Sequence, residues 1–193
     1  MDIPEITIVK EADRQRAIDT VLLGFSTDPF LRWLYPSADL YLKAGPAMHA
    51  FGGAAIDHHS AYMANDSQGV ALWIPPGVEP DEERFMAEVL KYVPEEKHET
   101  LFAILEKMEE YHPNEDTWYL PIIAVDPAFQ GQGLGSQLMK AGLERVDTEG
   151  LPAYLESTNP RNMSLYERCG FVTVGKIEIG DCPPIHPMFR AVR

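Results

Sequence analysis

Cysteine is nearly missing from this chain: Cys169 and Cys182 are the two among 193 residues. Two cysteines without metal-ligand spacing make neither a disulfide framework nor a zinc site, so no metal is expected. Basic residues are also scarce. Sixteen Lys and Arg stand against 30 Asp and Glu, a net charge of −14, whereas a nucleic-acid binder needs a basic face. No apolar run approaches the ~20 residues of a membrane span, and no charged-then-apolar leader opens the chain. These absences predict a cytoplasmic protein with neither a nucleic-acid nor a membrane partner.

The charge that is present is unevenly placed. Residues 1–112 carry 20 acids and 9 bases, and residues 113–193 carry 10 and 7. An acidic first part attracts cations, such as a protonated amine, over about a Debye length (~8–10 Å). The acidic stretch 79–110 reads equally well as a solvated helical face.

Glycine is concentrated at one place. Residues 130–136 read Gln-Gly-Gln-Gly-Leu-Gly-Ser, between the apolar stretch Trp118–Val125 and a helix-periodic segment over 134–148. Glycines at 131, 133 and 135 let backbone N–H groups approach an anion, and the following helix aims its positive end at the same point. A strand, a glycine turn and a helix N-terminus predict a pyrophosphate cradle. The loop is not a Walker A sequence, which ends in Gly-Lys-Ser/Thr, because no lysine follows its glycines until Lys140. Nor does Gly-x-Gly-x-Gly-Ser match the dinucleotide fingerprint G-x-G-x-x-G. What remains is Q/R-x-x-G-x-G/A, filled by Gln130, Gly133 and Gly135.

A second motif follows. Residues 152–158 have strand composition, Asn159-Pro160 closes them, and 161–168 read as a short helix ended at Gly170. Asn159, Leu165, Tyr166, Gly170 and Phe171 occur in the order N-x-x-x-x-x-L-Y-x-x-x-G-F. With both motifs the chain resembles the GNAT superfamily of acetyl-CoA-dependent N-acetyltransferases; the stretches 71–77, 112–120 and 150–157 and the run 159–171 are similar, within it, to puromycin N-acetyltransferase and its relatives. The resemblance implies a single domain over 1–193, with an acceptor-side half to about residue 112 and an acetyl-CoA-binding half beyond it. It implies an α/β (α+β) fold whose mixed central sheet is flanked by helices and has splayed strands at the cofactor site. It further implies acetyl transfer to a small, cationic amine by direct attack in a ternary complex; a homodimer is left open.

Roles follow from the same resemblance. Gln130, Gly131, Gln132, Gly133, Leu134, Gly135 and Ser136 would hold the pyrophosphate. A backbone N–H at Ala124 or Val125 would meet the oxyanion, and Asn159 and Asn162 would contact the pantetheine arm. Tyr166 would be the general acid, or else a core tyrosine. An alkylamine with a pKa near 10.4 is only about 0.04% neutral at pH 7, so a base or a water relay is required. The strand before the loop carries no acid. Glu156, on the next strand, is the candidate base, with a carboxylate ion-paired to Lys or Arg as its alternative; His58, His59 and His112 are outsiders. Two other functions stay open: a non-catalytic acetyl-CoA-binding sensor or scaffold, favoured by the missing acid, and a protein or peptide N-acetyltransferase.

The pattern along the chain predicts an edge strand over 3–10 and a helix capped by Asp13 and broken at Asp28-Pro29. A loosely packed helical region over 39–59 and a hairpin over 61–74 follow. Residues 81–111 read as one or two helices interrupted at Pro94. Strands are expected at 117–125, 152–158, 171–179 and 188–192. Pro121 cannot donate to a ladder, which implies a bulge or an edge position.

Overall fold

The computed structural model describes residues 4–193. Its elements run β1 (Ile6–Ile8), α1 (Arg14–Gly24), α2 (Pro29–Leu34), α3 (Ala38–Tyr41), α4 (Gly45–Gly52), α5 (Ala54–Asp57), β2 (Ala61–Ala64) and β3 (Gly69–Ile74). They continue with α6 (Glu82–Leu90), α7 (His98–Tyr111), β4 (Trp118–Val125), α8 (Leu134–Glu149), β5 (Ala153–Ser157), α9 (Pro160–Arg168), β6 (Val172–Thr173) and β7 (His186–Arg190). One sheet of order β1-β2-β3-β4-β5-β7-β6 holds the strands. β4 and β5 are parallel, and the other neighbours are antiparallel. This is the mixed sheet between helices expected from the sequence. Residue 3, the start of the expected edge strand, lies outside the described residues.

Each face of the sheet carries its own core. Tyr119, Ile122, Ala124 and Tyr154 pack with α1, α4 and α7, while Trp118, Leu120, Leu155 and Met188 pack with α8 and α9. Arg190 joins α8, α9 and β7 on the second side. It is 2% exposed and pairs bidentately with Asp147 at 2.7 and 2.9 Å, and its Nε donates to the Cys169 carbonyl. Replacing Asp147 with Ala leaves a buried guanidinium without its anion. We expect a loss of about 3 kcal/mol of stability, measurable by urea unfolding.

Several local expectations are corrected. Asp13 precedes α1 but does not cap it; its carboxylate pairs with Arg16 at 3.0 Å. Asp28 does more than break a helix, since Oδ1 accepts from the N–H groups of Phe30 and Leu31 and thereby starts α2. Residues 39–59 are not loosely packed: Ala44, Ala47, Met48, Ala55 and Ile56 are all buried. α4 approaches the sheet so closely at Gly52 that a Cβ there would stand 2.8 Å from the side chains of Ile122 and Leu72. The strand expected over 171–179 shrinks to Val172–Thr173 plus a single bridge, Ile177 to Ile185. Val174 donates to Pro187, but proline has no N–H to return, and the ladder stops there. The last strand lies two residues earlier than expected, at His186–Arg190.

Candidate active site

β4 changes phase in its middle. Leu72 pairs with Ile122 but Ile74 pairs with Tyr119, so β4 holds one more residue than β3 across this step. The bulge falls at Leu120–Pro121, as the missing proline donor implied. Before it, Trp118 and Leu120 face α8; after it, Ile123 and Val125 do.

The same strand then parts from β5. The parallel pairing covers Trp118 with Ala153 and Tyr119 with Tyr154, and goes no further. Leu120–Val125 and Leu155–Ser157 therefore flank an open gap. The Asp126 N–H bonds the Gln68 carbonyl, so by ladder alternation the N–H groups of Ile122 and Ala124 face β3. Those of Ile123 and Val125 face the gap. Of the two positions expected to meet an oxyanion, Val125 is thus the one aimed at the gap, and Ile123 joins it.

The glycine loop opens beside this gap. Gly131 and Gly133 have φ of +75° and +85°, and an added Cβ at either would meet no atom within 4 Å. Gly133 precedes the first turn of α8, where no side chain caps the helix. The N–H groups of Leu134, Gly135 and Ser136 have no acceptor within the helix. Leu134 is buried and anchors the turn, while Gln132 and the Ser136 hydroxyl lie at the surface. Gln130 acts as a brace: its amide donates to the Val125 carbonyl at 3.1 Å. The unpaired N–H groups at this helix N-terminus are of a kind that could hold a pyrophosphate, and the gap beside them could take an extended pantetheine arm.

Asn159 spends its side-chain oxygen capping α9, accepting from the Arg161 N–H at 3.1 Å. Asn162 stands beside the Tyr166 hydroxyl one turn along. Tyr166 is 5% exposed and packs edge-on against Phe171. Burial pushes its phenol well above the ordinary range, the Asp28 carboxylate adds to this, and Asn162 opposes it. The group stays protonated at neutral pH and is available as a donor. Arg161 and Arg168 are exposed.

Glu156 occupies the opposite face of β5 from Leu155, in the wall of a cavity of about 780 Å³. Burial raises its carboxyl to about 7, against the Tyr119 and Tyr154 hydroxyls that favour the anion. The Tyr154 hydroxyl, itself buried, has no hydrogen-bond partner of good geometry. No Lys or Arg pairs with Glu156 among the described residues, so the ion-paired alternative for it finds no partner. Glu79, Glu82, Glu106, Glu109, Glu115 and Asp116 also line the cavity, with Phe51, Phe85 and Tyr119 and without any Lys or Arg. His112 stands in the same wall, its ring 5.2 Å from that of Tyr119 and 5.1 Å from that of Tyr154. Sequence reasoning set it aside with His58 and His59, and nothing in its spacing placed it here. Asp28 was missed for the same reason: it reads as a helix stop.

Among the described residues no helix is long and apolar enough to cross a membrane.

Comparison with known proteins gives a consistent result. The family model described as Acetyltransferase (GNAT) family matches residues 71–171. An uncharacterized N-acetyltransferase of Schizosaccharomyces pombe is 30% identical over 188 residues, covering 85% of this chain and 72% of that one. A mycothiol acetyltransferase of Beutenbergia cavernae is 28% identical over 143 residues, covering 69% of this chain but only 47% of that enzyme's length. Among solved structures, one described as histone acetyltransferase HPA2 and related acetyltransferase, from Corynebacterium glutamicum, superposes with a TM-score of 0.71 at 27% identity. It covers 98% of this chain and 97% of the other.

Proposed function

The chain belongs to the acetyltransferase (GNAT) family, and from that premise we propose that it moves the acetyl group of acetyl-CoA to the amine of a small cationic molecule, by direct attack in a ternary complex. The observation that carries this reading is Glu156: a carboxyl titrating at about 7, in the wall of an acidic cavity, on the strand that borders the β4–β5 gap.

Each half of the reaction has its groups. The cradle Gln130–Ser136 would hold the pyrophosphate, with the pantetheine arm lying along the N–H groups of Ile123 and Val125 and near Asn159 and Asn162. The cavity's seven carboxylates, with no Lys or Arg in its lining, draw in a protonated amine, and Phe51, Phe85 and Tyr119 receive its apolar part. Glu156 takes the amine proton, directly or through one water. The neutral nitrogen attacks the thioester carbonyl and a Val125 or Ile123 N–H meets the developing oxyanion; the C–S bond breaks, Tyr166 gives its proton to the departing sulfur, and the proton that the nitrogen sheds as the amide forms restores the phenol, directly or through water. Glu156 works as a base only when ionised, so turnover rises as pH passes upward through about 7.

Tyr166→Phe tests the acid. We expect kcat to fall at least tenfold, as the loss of a general acid worth about 10²–10⁴ would give, with acetyl-CoA affinity within a few-fold. Unchanged turnover would remove Tyr166 from the chemistry.

A further inference from the structure

The turn between α1 and α2 crosses the open end of the β4–β5 gap and is anchored on both sides. At one end Gly24 packs so tightly on β4 that a Cβ there would stand 2.8 Å from Ala124 Cβ and 3.1 Å from both the N and O of Val125. At the other end Asp28 is 4% exposed and receives three donors. Phe30 and Leu31 N–H groups reach Oδ1 at 3.0 Å each, and the Thr158 hydroxyl reaches Oδ2 at 2.7 Å.

Helix capping accounts for only half of that arrangement. An Asn would cap α2 as well as Asp does, and burying a carboxylate without a cation is costly. The excess is spent on Thr158, which is 130 residues away in sequence at the end of β5. A carboxylate makes this bond shorter and stronger than a neutral acceptor could. The contact lies at the reacting end of the gap, because the Asp28 carboxylate also bears on the Tyr166 phenol from the far side. The Asp28 carboxylate also bears on the Tyr41 hydroxyl, and Asn162 and Cys169 of α9 flank the Tyr166 phenol.

We propose that Asp28 and Thr158 form a positioning strut, which fixes the α1–α2 turn as the roof of the β4–β5 gap so that amine and thioester meet beneath it in one geometry. The strut rests on the acetyltransferase reading of the gap. It contributes through orientation, where a displacement of about 1 Å can cost about a hundredfold in rate.

Steady-state kinetics of Thr158→Val, Thr158→Ser, Asp28→Asn and the double variant Asp28→Asn/Thr158→Val test it. Thr158→Val should lower kcat at least tenfold while KM for acetyl-CoA stays within threefold. Thr158→Ser keeps the hydroxyl and should keep kcat within threefold of wild type. Asp28→Asn retains the cap, so its melting temperature should move little while kcat falls. The double variant should be no slower than its slower parent, since one strut is lost once. Wild-type kcat in Thr158→Val would overturn the strut, as would equal losses of kcat in Thr158→Ser and Thr158→Val. If Asp28→Asn fails to fold, the Thr158 pair decides alone. A wild-type protein that releases no thiol with any amine would overturn the transferase reading, and the strut with it.

Discussion

Replacing Glu156 with Gln is expected to reduce kcat/KM by about 10²–10⁴-fold, the usual worth of a positioned base. The substitution keeps the side chain's size and its contacts with the Tyr119 and Tyr154 hydroxyls while removing the proton acceptor. The wild-type profile should climb as pH passes upward through about 7, because burial places the Glu156 carboxyl there. In Glu156→Gln that limb should vanish, leaving only the titration of the amine itself. The acetyl-CoA dissociation constant should stay within a few-fold, since Glu156 lies on the acceptor face of the sheet. A retained limb near 7 would assign it to another group.

Replacing Gly133 with Val should weaken acetyl-CoA binding at least a hundredfold, a loss of about 3 kcal/mol. Two effects add. At φ +85° a β-branched residue is strained, and its side chain projects into the cradle where no protein atom stands. Gly150→Val is the control. Gly150 follows the other end of α8, at φ +66° and with the same empty space around its missing Cβ. It should show the same kind of destabilisation on melting with unchanged acetyl-CoA affinity. Equal loss of affinity in both variants, read by calorimetric titration, would mean that strain in α8 rather than the cradle controls binding.

What the sequence made legible is what local chemistry dictates. The turn into α8 could be read because glycines suit the positive φ that Gly131 and Gly133 adopt before a periodic helix, and the bulge because Pro121 cannot give a ladder hydrogen bond. The parting of β4 from β5 was expected from resemblance, and the register bears it out. Long-range relations stayed hidden. Asp28-Pro29 reads locally as a helix stop, and its link to Thr158 appears only when residues 130 apart in sequence meet. The acids of the cavity come from α6, α7, the loops beside them and β5, so no window of sequence displays them together. Alanine and glycine over 39–59 suggested slack where they permit close approach. The shortness of β6 depended on Pro187, fourteen residues beyond its end at Thr173.

The most direct test of the account is CoA-thiol release from acetyl-CoA, followed with a thiol-reactive dye against puromycin, polyamines, arylalkylamines, amino acids and short peptides. The account predicts release that depends on a small cationic amine and rises with pH through about 7. Release confined to peptides would move the acceptor to proteins. No release above the amine-free rate, in a protein whose melting temperature acetyl-CoA still raises, would contradict catalysis and leave a cofactor-binding module.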